Sequence, residues 1–169
     1  MLIILLNQLT YLQVSSMTKQ SSEYPIPKLL CLHLNECDRK KCTALKLKKL
    51  GFLEIFSDIK GKSRNSVILN PLAKKIIDIN DRPIIEKYGL LVVDCSWKKI
   101  LNLKNLNLRN SRKLPSLIAS NPVNYGKWEK LSSAEALAAA LYITNYAEHA
   151  DLILSKFSWG AEFKRINNF

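Results

Sequence analysis

Leu90 to Trp97 reads LLVVDCSW. Four β-favouring apolar residues in succession, Leu90 to Val93, predict a strand buried on both faces, as in a parallel sheet covered by helices. The run stops abruptly at Asp94, and the carboxyl end of a strand is where open α/β sheets carry their chemistry. Asp94 is therefore a site candidate, with a helix-capping aspartate as its alternative reading.

Upstream, Asn80 to Tyr88 reads as a helix with Asp81 and Pro83 in its opening turn and Gly89 closing it. Before it stand a basic loop, GKSRNS, and the strand-like VILNP. Lys28 to Leu34, KLLCLHL, predicts another strand, and NECDRKKCT a polar loop. Ala44 to Leu50 then forms a helix with Leu47 and Leu50 on one face, Lys46, Lys48 and Lys49 towards solvent, and Gly51 at its stop. Thr43 stands at its start, where a hydroxyl can satisfy a free backbone N–H.

Downstream, Lys98 to Arg112 is rich in Lys, Arg and Asn and reads as a connection between lobes. LPSLIAS follows as a strand, NPVNYGKWEK as a turn-rich loop, and LSSAEALAAALYI as a helix opened by the Ser132/Glu135 capping box. From Glu148 onward one or two helices turn Ile153, Leu154 and Phe157 inward, with Trp159 at a bend by Gly160. Strands alternating with helices predict an α/β fold with a largely parallel sheet.

Composition supports an ordered globular chain: of 169 residues, 47% are apolar and 24% charged, with only 6 Pro and 5 Gly. Lys and Arg number 26 against 14 Asp and Glu, a formal +12 that attracts polyanions. Charge alone admits RNA, DNA or an anionic membrane. The apolar run in MLIILLNQLTYLQVSS is too short and too polar to span a bilayer, and no basic residue precedes it. Residues 1–22 read as an extension, either disordered or an upstream-start artefact, with Met17 as the alternative start. Four cysteines (Cys31, Cys37, Cys42, Cys95) lie at irregular spacings beside only 2 His, which gives no zinc or iron–sulfur pattern and suits buried thiols in a reducing cytoplasm. The sequence holds no G-x-S-x-G, G-x-G-x-x-G or phosphate-loop motif, which weakens hydrolase and kinase readings.

Five ordered segments, CDRKKCTALKLKKLG, VILNPLAKK, GLLVVDCSWKKI, RKLPSLIASNPVNYGKWEKLSSAEALAAALYI and LILSKFSWGAEFKRIN, resemble the small-subunit rRNA aminocarboxypropyltransferase family of ribosome biogenesis. The resemblance runs from Lys28 to Asn167 and is closest to the compact archaeal type. It implies an N-terminal α/β lobe, 23–96, that completes a cofactor pocket, and a SPOUT-like C-terminal domain, 97–169, with a deep trefoil knot of a kind rare among folds. It implies S-adenosyl-L-methionine as donor, no metal, and a cytoplasmic monomer acting on small-subunit rRNA.

Carried over, the resemblance gives Thr43 the amino-acid end of the cofactor. Leu69, Pro71, Trp97, Leu114, Leu131 and Ala136 become the apolar walls, and backbone groups near Val93, Leu114, Glu129 and Ser133 supply hydrogen bonds. Glu129 stands where relatives often carry an aromatic residue. Taken singly, Trp97 and Leu69 read as core residues and Thr43 as a cap; their joint order favours the pocket. Trp97 is expected against the sulfonium methyl, so that the aminocarboxypropyl chain faces an RNA pseudouridine, or its N1-methylated form, at N3. Asp94 is the candidate to take or orient the N3 proton. The expected RNA surface comprises Arg39, Lys40, Lys41, Lys62, Arg64, Lys98, Lys99, Arg109, Arg112 and Lys113 around the mouth of the cleft. Two other functions fit in outline: a SPOUT-like RNA methyltransferase, and a non-catalytic rRNA-binding assembly factor.

Overall fold

The computed structural model of the chain describes residues 26–34, 38–94 and 109–169. Five parallel strands, Leu29–His33 (β1), Glu54–Phe56 (β2), Val67–Leu69 (β3), Leu90–Asp94 (β4) and Ser111–Arg112 (β5), form one sheet in the order β2-β1-β4-β3-β5. The run that predicts a strand buried on both faces, β4, lies at the centre of this sheet. In register Leu29 faces Leu90, and His33 faces Asp94.

Side chains alternate across a strand, so parity assigns the faces. Leu29, Cys31, Val67, Leu69, Leu90 and Val92 pack into the main core, while Leu30, Leu32, Ile68 and Leu91 form a second cluster. The helices Thr43–Lys49 (α1), Arg82–Tyr88 (α2), Ser133–Ile143 (α3), Ala147–Leu154 (α4) and Gly160–Ile166 (α5) contribute to the main core through Leu47, Ile85, Leu137, Ile153 and Phe163. The same parity places His33 and Asp94 on the helix-bearing face.

Helix ends follow the local chemistry with some corrections. The cap of α1 is Cys42, whose Sγ accepts from Leu45 N at 3.5 Å, rather than Thr43. Leu50, expected on the apolar face, is the C-terminal cap and 46% exposed. In α3 the Ser132/Glu135 capping box forms as expected. LPSLIAS is not a strand of the sheet. Ile118 exchanges both backbone hydrogen bonds with the side-chain amide of Asn167 at 2.8 and 3.0 Å, and bridges Trp128, so the segment finds its partners outside the sheet.

Gly160 opens α5 where a Cβ would lie 2.1 Å from Leu154 O, which accounts for glycine at this bend. The C-terminus is tied back by Phe169, stacked on Tyr142 with ring centroids 4.7 Å apart. Tyr142 donates to Asp151, which also takes Lys164 Nζ at 2.7 Å. Burial, then the bond to Asp151 and its charge, push the Tyr142 phenol far above its ordinary value. Burial would raise the Asp151 carboxyl, but the Lys164 and Tyr142 bonds hold it below its usual range.

β5 lies beyond the boundary expected at residue 97 and pairs with β3, so strands from both sides of that boundary share the sheet. The extension 1–22 and residues 95–108 lie outside the described residues. No helix among the described residues is long and apolar enough to cross a membrane.

Candidate active site

Parallel strands end together, and here their carboxyl ends open onto a cavity of about 890 Å³, inside the ~300–1,000 Å³ range of small-molecule sites. Its wall is assembled from distant segments: Thr43 opening α1, Leu69 and Pro71 after β3, Val93 and Asp94 closing β4, and Leu114 after β5. Glu129, Leu131, Ser133 and Ala136, before and within α3, complete it. All ten of these site candidates, read from separate motifs, line this one cavity. The eleventh, Trp97, lies outside the described residues.

Thr43 and α3 meet directly. Thr43 Oγ1 accepts from Ala134 N at 3.2 Å, so the hydroxyl satisfies a free helix N–H as expected, but that of α3 rather than of its own helix. It retains its proton for donation. In the same turn Ser132 N and Glu135 N bond to each other's side chains, whereas the Ser133 N–H has no protein partner among the described residues. Glu129 adopts φ 59, a left-handed conformation uncommon for a residue with a Cβ. Its N donates to Leu117 O at 2.8 Å and its Oε1 accepts from Ser116 Oγ at 2.8 Å, which holds that strained residue on the cavity wall.

Asp94 lines the cavity in company that spacing arguments missed. Cys42 Sγ donates to Asp94 Oδ2 at 3.2 Å, and His33 Nε2 lies 3.5 Å from Cys42 Sγ and 3.9 Å from Asp94 Oδ2. The three come from β1, the turn before α1 and β4, with a nitrogen, a sulfur and an oxygen within 4.8 Å of one another. No other such set occurs among the described residues. Its atoms are of the kind that metal ions use, yet the S–H···O bond already joins two of them. The bond tethers one carboxylate oxygen, and Asp94 Oδ1 has no partner among the described residues. The detectable signal was parity: facing strand-end positions, His33 and Asp94, on one side of a parallel pair.

A second group, read from the sequence only as a helix cap, joins parts of the wall. Glu135 is fully buried, and its Oε1 accepts from Ser120 N, Ser120 Oγ and Asn121 N at 2.7, 3.2 and 2.9 Å. Its Oε2 accepts from Asn121 Nδ2 at 2.7 Å and Ser132 N at 2.6 Å. One carboxylate thus joins the 120–121 turn to the start of α3. The capping box was legible; the long-range donors were not.

The cationic set divides. Lys40, Lys41 and Lys113 line the cavity, and Arg39 is exposed beside them. Lys62, Arg64 and Arg109 are exposed but precede β3 and β5, at the amino edge of a parallel sheet, so they do not belong to the cleft mouth. Lys98 and Lys99 lie outside the described residues. Arg112 is buried, with Nε 2.8 and 2.9 Å from the Asp81 oxygens and Nη2 2.7 Å from Oδ1. It is a core ion pair, not an RNA contact. Arg112→Gln would leave Asp81 with only the Asp78 N–H at 3.2 Å and Lys75 Nζ at 3.7 Å, and stability is expected to fall by about 3 kcal/mol. Denaturant unfolding reads this directly, and an unchanged midpoint would return Arg112 to the surface set.

These features define a parallel α/β protein with a cavity of small-molecule size at the carboxyl edge of its sheet, beside a hydrogen-bonded aspartate. Residues 67–169 match the family described as ribosome biogenesis protein, C-terminal. The chain is 43% identical over 143 residues to the 16S rRNA aminocarboxypropyltransferase of Methanocaldococcus jannaschii, covering 84% of this chain and 83% of the relative. The enzyme of the same name from Thermoplasma volcanium is 47% identical over 136 residues, covering 80% and 82%. A solved structure, the SAM-dependent rRNA:acp-transferase of Vulcanisaeta distributa, superposes with a TM-score of 0.79 at 39% identity, covering 85% of this chain and 80% of that one. The chain belongs to the 16S rRNA aminocarboxypropyltransferase family, the family that its five motifs resemble.

Proposed function

We propose that this protein transfers the 3-amino-3-carboxypropyl group of S-adenosyl-L-methionine to N3 of a pseudouridine, or of its N1-methyl form, in small-subunit rRNA during ribosome biogenesis. The observation that carries this reading is the convergence of Thr43, Leu69, Pro71, Val93, Leu114, Glu129, Leu131, Ser133 and Ala136 on one cavity that Asp94 also lines. Its mixture of apolar wall and isolated polar groups suits a nucleoside joined to an amino acid. The Ser133 N–H and the Thr43 hydroxyl are donors at the cavity surface, and Leu69, Pro71, Leu114 and Leu131 offer apolar contact to an adenine ring.

Bound S-adenosylmethionine supplies an electrophilic carbon beside its sulfonium, and its remainder departs as neutral methylthioadenosine. The chain itself must orient that carbon, exclude water and manage the acceptor proton. Asp94, held through Oδ2 by Cys42, presents Oδ1 to the N3–H of the acceptor base, takes the proton and so frees the nitrogen lone pair for attack. Lys40, Lys41 and Lys113 at the cavity attract the phosphates around that base. The fuller reading includes a SPOUT-like knotted C-terminal half, Trp97 against the sulfonium methyl, no metal requirement, and a cytoplasmic monomer. Resemblance to the family supports each of these.

The test uses small-subunit rRNA and S-adenosylmethionine labelled either in the carboxyl carbon or in the methyl. Carboxyl label in the RNA together with released methylthioadenosine is the expected result. Methyl label would instead make the protein a methyltransferase, and no label on rRNA from a strain lacking the modification would make it an assembly factor.

A further inference from the structure

Residues 121–128, whose first four line the cavity, carry three large side chains that are mostly exposed: Val123, Tyr125 and Trp128 are 60, 64 and 61% exposed. Single exposed apolar residues need no explanation, but an exposed Trp and Tyr three positions apart on one loop do. The loop is also built rather than slack. Asn121 Oδ1 accepts from Val123 N and Asn124 N at 3.2 and 3.1 Å, and Asn121 Nδ2 is anchored on buried Glu135. Ala119 N donates to Lys127 O at 3.0 Å, and Gly126 N to Ala119 O at 2.8 Å, with Gly126 at φ 74 closing the turn. Trp128 bridges Ile118 in antiparallel fashion, and Tyr125 Oη reaches Glu162 Oε1 at 3.5 Å. The aromatic rings therefore stand on a backbone already fixed, so little further ordering is needed when they bind.

Position and charge say what they bind. Asn121, Pro122, Val123 and Asn124 of this loop, and Glu129 just after it, line the cavity, so Tyr125 and Trp128 stand on the segment that borders it without lining it themselves. Lys127 and Lys130 are exposed between and beyond them, in a chain with a formal charge of +12. Aromatic faces interleaved with cations are the general means of holding unpaired nucleotides, the rings stacking on bases and the cations following phosphates. A base can enter a cavity only when it is unstacked from its neighbours, and the neighbours then need new stacking partners.

We propose that the 121–128 loop is a stacking platform on which Tyr125 and Trp128 hold the unpaired rRNA nucleotides flanking the acceptor base. This rests on the reading of the cavity as the site of rRNA modification. The platform selects a single-stranded loop over a duplex, because stacked pairs in a helix do not offer their faces.

The test is the affinity of the full chain, with S-adenosylmethionine present, for an rRNA stem-loop and for a duplex of equal length. Tyr125→Ala and Trp128→Ala are each expected to weaken stem-loop binding by about 10-fold or more, with duplex affinity and S-adenosylmethionine affinity within about twofold. Trp128→Phe should recover most of the loss, since a ring remains. Lys127→Ala should behave differently, weakening both RNAs and lowering the salt dependence by about one phosphate contact. Unchanged stem-loop affinity in both alanine variants, or equal loss on stem-loop and duplex, would overturn the platform; unchanged affinity is also what a protein-docking surface would give. Label transfer by the wild-type chain is scored separately, so failure of the platform and failure of the modification reading cannot be confused.

Discussion

Asp94→Asn is expected to lower carboxyl-label transfer by about 10²–10⁴-fold while leaving S-adenosylmethionine affinity nearly unchanged. The asparagine keeps the shape of the side chain and can still accept from Cys42, so the wall of the cavity is preserved. In the reaction proposed above, what it loses is the ability to take the N3 proton, and a protonated N3 cannot attack carbon. The result should be a fall in turnover with little change in the RNA concentration needed for half-maximal rate. Raising the pH should partly rescue the variant, since solvent then removes more of the N3 proton. Turnover within about threefold of wild type would remove Asp94 from proton chemistry and leave it a capping and packing role.

Glu135→Gln should be the most damaging single change to stability outside the main apolar core. The carboxylate takes five hydrogen bonds in a fully buried position. Glutamine replaces one acceptor oxygen by an NH₂ group, and either orientation of that amide turns a donor towards donors. Each orphaned buried donor costs about 1–3 kcal/mol, so a loss of about 3–5 kcal/mol after relaxation is expected. In a chain of this size that lowers the thermal midpoint by about 10 °C or more. S-adenosylmethionine affinity should fall as well, because Glu135 ties the 120–121 turn to the start of α3, two parts of the cavity wall. Ser132→Ala, which removes only the local cap, should cost about 1 kcal/mol. Equal effects from the two variants would reduce Glu135 to its place in the capping box.

Much of the fold was legible because the signals are local. The apolar run of β4, the Pro83 and Gly89 limits of α2 and the Ser132/Glu135 box each depend on residues within a few positions, and all three appear, although α2 begins at Arg82 rather than Asn80 because Ile79–Asp81 form a separate 3-10 turn. The errors arose where a partner from elsewhere outweighed local preference. LPSLIAS has β-favouring residues, but Asn167 and the 127–129 segment take up its backbone groups. Leu50 fits an apolar period, yet lies at the end of its helix and faces water.

The candidate site divides in the same way. From its own residues the sequence determined that Asp94 ends a buried strand, that Glu135 caps a helix and that the surface is strongly basic; its ordered motifs also named the family. Only the tertiary structure decided that His33, Cys42 and Asp94 touch, that the Thr43 hydroxyl serves α3, and that Arg112 is spent on Asp81 instead of on RNA. Parallel strands pair through long connections, and the strand order β2-β1-β4-β3-β5 brings positions 42 and 94 together. No local propensity encodes that order, because it is set by how all the buried faces pack at once.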